Sequence, residues 1–280
     1  MSPERSNPHY AFPPALGITV TLAGVAVMAA WGLVLRESPS LVGPRLGIFV
    51  GSALLALPAI AALALLRSNR WRQTMALASP SPRTVALSVL LGGALWVLSI
   101  GLMELQSLAL PPPPEYLALF RAIHEALAPR NALDALVSVV VIAIAPGIGE
   151  ELLTRGILLP SLLRVLRPSG AIWISAALFA AMHFDPYRFV FTLVIGLVLG
   201  VLRVRTGSLW PAIVAHVTLN TLTFLVVPLV DDPAQTTYTP QPLLGVACLL
   251  AGAALALPLF RALPSSVPPP APRSEDPSPT

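Results

Sequence analysis

Charge is scarce in this sequence: 11% of its 280 residues are Asp, Glu, Lys or Arg, less than half the roughly 25% of a typical soluble domain. A water-soluble globular enzyme is excluded at that level. Lysine is missing altogether, and all 17 basic residues are Arg. They lie as singles and pairs between apolar runs. The pI near 10.0 and net charge of +4 therefore come with no basic stripe for a phosphate backbone, and nucleic acid is excluded as a partner. Cysteine is nearly missing too. The lone Cys248 can form no internal disulfide, and without a Cys-x-x-Cys pair there is no thiolate zinc site.

What fills the chain instead is hydrocarbon: 55% of residues are apolar and the mean hydropathy is +0.78. Uncharged runs of 20 or 21 residues at 15–35, 46–66 and 84–103 are each long enough to cross about 30 Å of bilayer core. Further apolar stretches at 134–166, 170–184, 188–204, 209–230 and 242–262 bring the expectation to about eight transmembrane helices. The predicted class is an all-α, polytopic membrane protein with membrane lipid around it. Its expected parts are a cytoplasmic segment 1–14, three spans and an extracytoplasmic loop over 15–133, a five-span core over 134–263, and a Pro-rich tail 264–280. With seven prolines in 17 residues the tail has almost nothing to bury, and disorder is expected there. After Pro111–Pro114, residues 116–127 are expected to lie as a short helix on the membrane surface.

The stretch 134–166 is too long for one crossing and too short for two, so a broken helix is expected there. Pro146 removes a backbone donor, and Gly147 and Gly149 permit non-helical angles. Directly after them come Glu150 and Glu151, deep within apolar sequence. An ionised side chain near the bilayer centre costs on the order of 2.5–3.5 kcal/mol even on lenient scales, which makes each a functional candidate. Glu151 and Arg155 stand four residues apart in the favourable acid-before-base order and are expected to neutralise one another, orienting the site rather than reacting. Glu150 points about 100° away with no local cation and is the candidate for chemistry.

Two histidines lie in later apolar helices. Phe179 and His183 share a face four residues apart, so the ring can fix the imidazole, and His216 and Asn220 share another. A carboxylate and two imidazoles in a half-dry cavity suit hydrolysis of a peptide bond. Glu150 and His183 would deprotonate a water, while His216 and Asn220 donate to the developing oxyanion. The same Glu150, His183 and His216 are the candidate ligands if a divalent ion such as zinc activates the water instead.

Three motifs resemble those of the CPBP family, the CAAX prenyl endopeptidase and bacteriocin-processing (Abi) intramembrane proteases. They are Glu150-Glu151-x-x-x-Arg155 followed by Gly156, Phe179-x-x-x-His183, and His216-x-x-x-Asn220 with its lead-in Gly207-Ser208-Leu209-Trp210-Pro211. The likeness covers residues 134–226. It implies an eight-helix membrane endopeptidase acting near the membrane on a peptide or membrane-protein substrate or on the C-terminal segment of one. With neither zinc-protease spacing nor a third strong ligand in the sequence, a glutamate-based mechanism with no catalytic metal is favoured. Other protease classes fit worse: His124-Glu125 has Ala128 where a second zinc-binding histidine belongs, and Gly147-x-Gly149-Glu150 has Glu in place of an aspartyl-protease Asp. An ion-coupled transporter relaying protons through Glu150, Glu151 and the histidines is the rival from another class, and a non-catalytic immunity protein is a third.

Arg67, Arg70, Arg72 and Arg83 crowd the second connection, which the positive-inside rule places in the cytoplasm. Alternation from there puts both termini inside and leaves twelve arginines on that side against five outside. The expected location is the cell (inner) membrane, multi-pass. Cysteines introduced at Arg70 and Arg205 are therefore expected to react with an impermeant thiol reagent only after the cytoplasmic face is opened. One at Asp232 should react from outside, and the opposite pattern would invert the orientation.

Overall fold

The computed structural model describes residues 12–38, 42–65, 75–230 and 237–265. These form nine helices: α1 (Pro14–Glu37), α2 (Pro44–Leu65), α3 (Pro82–Ala109), α4 (Pro114–Leu127), α5 (Ala132–Leu162), α6 (Pro168–Ala181), α7 (Phe189–Thr206), α8 (Trp210–Val230) and α9 (Pro242–Ala262). No strand occurs among the described residues. Six of these helices are long and apolar enough to cross a membrane, and α6 and the described part of α8 are shorter apolar helices. The expected eight is reached only by including those two. α4 is the short helix after the proline run. The segment 1–11, most of the tail, Arg67, Arg70, Arg72, Asp231 and Asp232 lie outside the described residues.

Hydroxyl groups on the apolar helices bond inward to their own backbone, as a solvent without hydrogen-bond partners demands. Thr218, Thr221 and Ser161 each donate to the carbonyl four residues earlier at 2.7–2.8 Å. The outward faces carry exposed Leu22, Leu57, Leu90, Trp173 and Leu250, an apolar girdle suited to lipid. One core packs α1, α2, α5 and α6 through Val20, Leu55, Leu153, Ile157 and Phe179. A second packs α3, α7 and α8 through Leu91, Leu95, Leu199 and Ala215.

The break expected in α5 takes a different form. The chain stays helical, but Val140–Ile144 and Leu152–Leu158 widen into π-helix. Each widened stretch ends one residue short of a proline, Pro146 and Pro160, whose ring crowds the preceding turn and whose nitrogen has no hydrogen to give. Ala145 and Leu159 bond back to Val140 and Thr154, five residues earlier, so the ladder passes the prolines without losing its turn. Gly147 and Gly149 are not in non-helical angles, since the only glycine with positive φ among the described residues is Gly207. They permit close approach instead. A Cβ on Gly147 would lie 2.8 Å from Val217 of α8, and one on Gly149 3.0 Å from the Ser52 carbonyl of α2. The two carboxylates thus sit on an α-helical step between two π-helical turns, clamped by α2 on one side and α8 on the other.

Candidate active site

Glu151 and Arg155 are fully buried, and Arg155 Nη1 meets Glu151 Oε1 at 2.7 Å. Three further contacts hold the guanidinium. Nη1 also donates to Thr154 Oγ1 at 2.9 Å, Nη2 donates to the Gly196 carbonyl of α7 at 2.9 Å, and its plane lies 4.2 Å over the Phe179 ring of α6. Thr154 in turn donates to the Glu150 carbonyl at 2.6 Å. Thr154 and the Gly196 carbonyl escape sequence reasoning: a threonine beside an arginine is commonplace, and a backbone acceptor on another helix leaves no mark in the sequence.

Glu151 does more than neutralise Arg155. Its Oε1 also takes the ring Nδ1 of His216, 3.0 Å away on α8. An oxygen already accepting from a guanidinium serves here as an acceptor, so the hydrogen of that contact sits on His216 Nδ1. His183 is fixed likewise, its Nδ1 lying 2.8 Å from the Phe179 carbonyl, which can only accept. Phe179 packs edge-on against both imidazoles, with ring centroids 5.1 Å from His183 and 5.7 Å from His216. With Nδ1 carrying the hydrogen in each neutral ring, Nε2 presents a lone pair.

Both of those nitrogens face one oxygen. Glu150 Oε2 lies 3.9 Å from His183 Nε2 and 3.7 Å from His216 Nε2, too far for direct hydrogen bonds. It is buried and bonded to no described residue. Three acceptors converge there, an arrangement that attracts a donor such as the O–H bonds of a water. Side-chain exposure rises from 0% at Glu151 through 5% at His216 and 14% at Glu150 to 23% at His183, so the site opens on the His183 side. A cavity of about 590 Å³ lies there, walled by Met28, Gly32 and Leu33 of α1 together with Met182 and Phe184. The contribution of α1 carries no sequence signal, because its residues are ordinary lipid-helix residues.

Asn220 stands one turn beyond His216 on α8, as the spacing requires, but forms no hydrogen bond with any described residue. The structure therefore joins Glu150, Glu151, Arg155, Phe179, His183 and His216 into one constellation and leaves Asn220 beside it. Among the described residues no group of three or more His, Cys, Asp or Glu is gathered as a metal site.

Residues 132–222, about a third of the chain, match the family model described as type II CAAX prenyl endopeptidase Rce1-like. That stretch contains every member of the constellation. No curated protein matches the chain.

The ion pair yields a direct test. Arg155→Ala leaves a buried carboxylate without its cation and is expected to cost about 3–5 kcal/mol. The double change Glu151→Gln with Arg155→Met, which removes both charges, should unfold at higher temperature in detergent than Arg155→Ala alone. The reverse ranking would show that the pair is not a buried ion pair.

Proposed function

We propose that this chain is a CAAX-type intramembrane protease, a hydrolase of peptide bonds whose core is the family-matched segment 132–222, and that Glu150 and His183 activate the water that attacks the scissile carbonyl. The observation that carries this reading is the convergence of Glu150 Oε2 with two imidazole nitrogens at 3.7 and 3.9 Å on the edge of an apolar cavity. A water donating to Glu150 and to one Nε2 is oriented with its own lone pair free. As its oxygen bonds to the carbonyl carbon, one proton passes to Glu150. The tetrahedral intermediate then collapses with cleavage of the C–N bond, and that proton goes to the leaving nitrogen.

The part given to His216 follows from its tautomer. In its neutral form Nε2 accepts rather than donates, so it becomes an oxyanion donor only after taking up a proton, and the Glu151–Arg155 pair behind Nδ1 holds the resulting imidazolium in place. The Asn220 amide, unengaged by any described residue, is the neutral donor we propose for the same oxygen. The substrate class that suits the cavity is a membrane-associated peptide or protein segment, and we place the chain in the cell membrane with both termini in the cytoplasm.

Glu150→Gln and His183→Ala are each expected to lower turnover about 10²–10⁴-fold while the detergent elution profile is unchanged. Quantitative comparison of membrane-protein C-termini in cells with wild-type and Glu150→Ala protein should show termini lengthened in the variant. Full activity in either point variant would remove the assignment. Stoichiometric zinc in active protein, lost in His216→Ala, would replace the metal-free mechanism but keep the protease.

A further inference from the structure

His183 is followed at once by a bend that side chains seldom tolerate. Phe184 has φ 51°, in the left-handed region, where a bulky L residue is a genuine outlier. Phe184 is 68% exposed and walls the cavity beside Glu150 and His183. A strained backbone persists only where its surroundings over-determine it, and strain next to a candidate catalytic histidine invites the question of what holds it.

Asp185 sits immediately after the bend and is bonded on both oxygens. Oδ1 accepts the Tyr187 backbone N–H at 3.0 Å, closing a local turn. Oδ2 accepts Arg188 Nε at 2.7 Å and the Tyr116 hydroxyl at 2.8 Å. Tyr116 belongs to α4, 69 residues away in the chain and outside the family-matched segment, and its ring packs 4.7 Å from that of Tyr187. Burial and the Asp185 carboxylate hold the Tyr116 phenol above its ordinary range, so it remains a donor at neutral pH. Farther along, Gln106 of α3 donates to the Pro186 carbonyl at 2.8 Å and accepts from the Val190 N–H at 3.0 Å. The His183 turn is thus fastened from α3 and α4 at once, and the Asp185 carboxylate is the junction where its own turn meets α4.

We propose that Asp185 is a positioning residue for the protease reaction: by accepting from Tyr116, Arg188 and the Tyr187 backbone it holds the Phe184 bend, and so keeps His183 Nε2 directed at Glu150. This rests on the assignment of Glu150 and His183 above. It makes α4, a surface helix with no residue in the site, a determinant of how well the site is assembled. Asp185 itself touches neither Glu150 nor His183 and is not a catalytic residue.

The test compares Asp185→Ala, Asp185→Asn and Tyr116→Phe with wild type. Two readouts apply: kcat and KM on a prenylated CAAX-type peptide in detergent micelles, and the side-chain ¹⁵N signals of the histidines in ¹⁵N-histidine-labelled protein. Asp185→Ala is expected to lower kcat about 10- to 100-fold with KM little changed, since misplacement from outside the site acts on the chemical step. It should shift or broaden the His183 signal and leave that of His216 in place. Asp185→Asn keeps one acceptor oxygen for the Tyr187 N–H, and its amide nitrogen can donate to the Tyr116 oxygen but meets Arg188 Nε–H as a second donor, so it should recover part of the loss. Tyr116→Phe removes one hydroxyl on another helix and should lower kcat several-fold with the same His183 shift. That variant carries the test if Asp185→Ala does not fold. Wild-type kcat and an unmoved His183 signal in Tyr116→Phe, or equal loss in Asp185→Ala and Asp185→Asn with the His183 signal unmoved, would overturn the inference. Activity surviving in His183→Ala would instead overturn the site assignment beneath it.

Discussion

One guanidinium holds this site together. Arg155 has no exposure, lies within a membrane-spanning helix, and touches Glu151 and Thr154 on α5, a backbone carbonyl on α7 and the face of Phe179 on α6. Its counter-ion Glu151 extends the network to His216 on α8. Four helices are thereby tied to one charge. An arginine buried in hydrocarbon is tolerable only when its hydrogens are matched, and the surroundings match most of them at once: a carboxylate, a hydroxyl and a carbonyl. The stabilisation is specific in geometry. Moving any one of these helices by a fraction of a turn would leave a charge or a donor unmatched, so the ion pair fixes helix rotation more than it adds cohesion.

That rotation decides the chemistry. Glu151 and Glu150 are consecutive and face different ways: once the first is committed to Arg155 and His216, the second is directed at the two Nε2 atoms. Glu151 also sets the tautomer of His216, just as the Phe179 carbonyl sets that of His183. Adjacent carboxylates of the same residue type thus take different parts because their partners differ. The π-helical turns on either side of 145–151 belong to the same design, since they absorb Pro146 and Pro160 without giving up the helical frame on which the two glutamates depend.

Much of this was legible in the sequence. Apolar run lengths located the spans to within a few residues, and four-residue spacings identified Glu151 with Arg155 and Phe179 with His183, because helical periodicity translates spacing into adjacency. Where the relation crosses between helices, spacing is silent. Nothing in the sequence tells that the Gly196 carbonyl accepts from Arg155, that Gly32 on α1 borders the cavity, or that Tyr116 reaches Asp185. Pro146 and Gly147 read as a helix breaker, yet their effect was a widened turn and a close helix contact, since in a membrane a lost backbone bond has no water to replace it. His216 was expected as an oxyanion donor. Its contact with Glu151 through Nδ1 crosses between helices and is one that no spacing foretells.

The central claim is that Glu151 and the Phe179 carbonyl fix both imidazoles so that their unprotonated Nε2 atoms face Glu150. Side-chain ¹⁵N NMR of ¹⁵N-histidine-labelled protein in lipid nanodiscs tests it most directly, with His183 and His216 assigned by single replacement. The account predicts that the neutral form of each ring carries its hydrogen on Nδ1 and leaves Nε2 bare, and that Glu151→Gln changes His216 while leaving His183 as it was. A neutral ring with its hydrogen on Nε2 in either residue, or a His216 signal indifferent to Glu151→Gln, would contradict it.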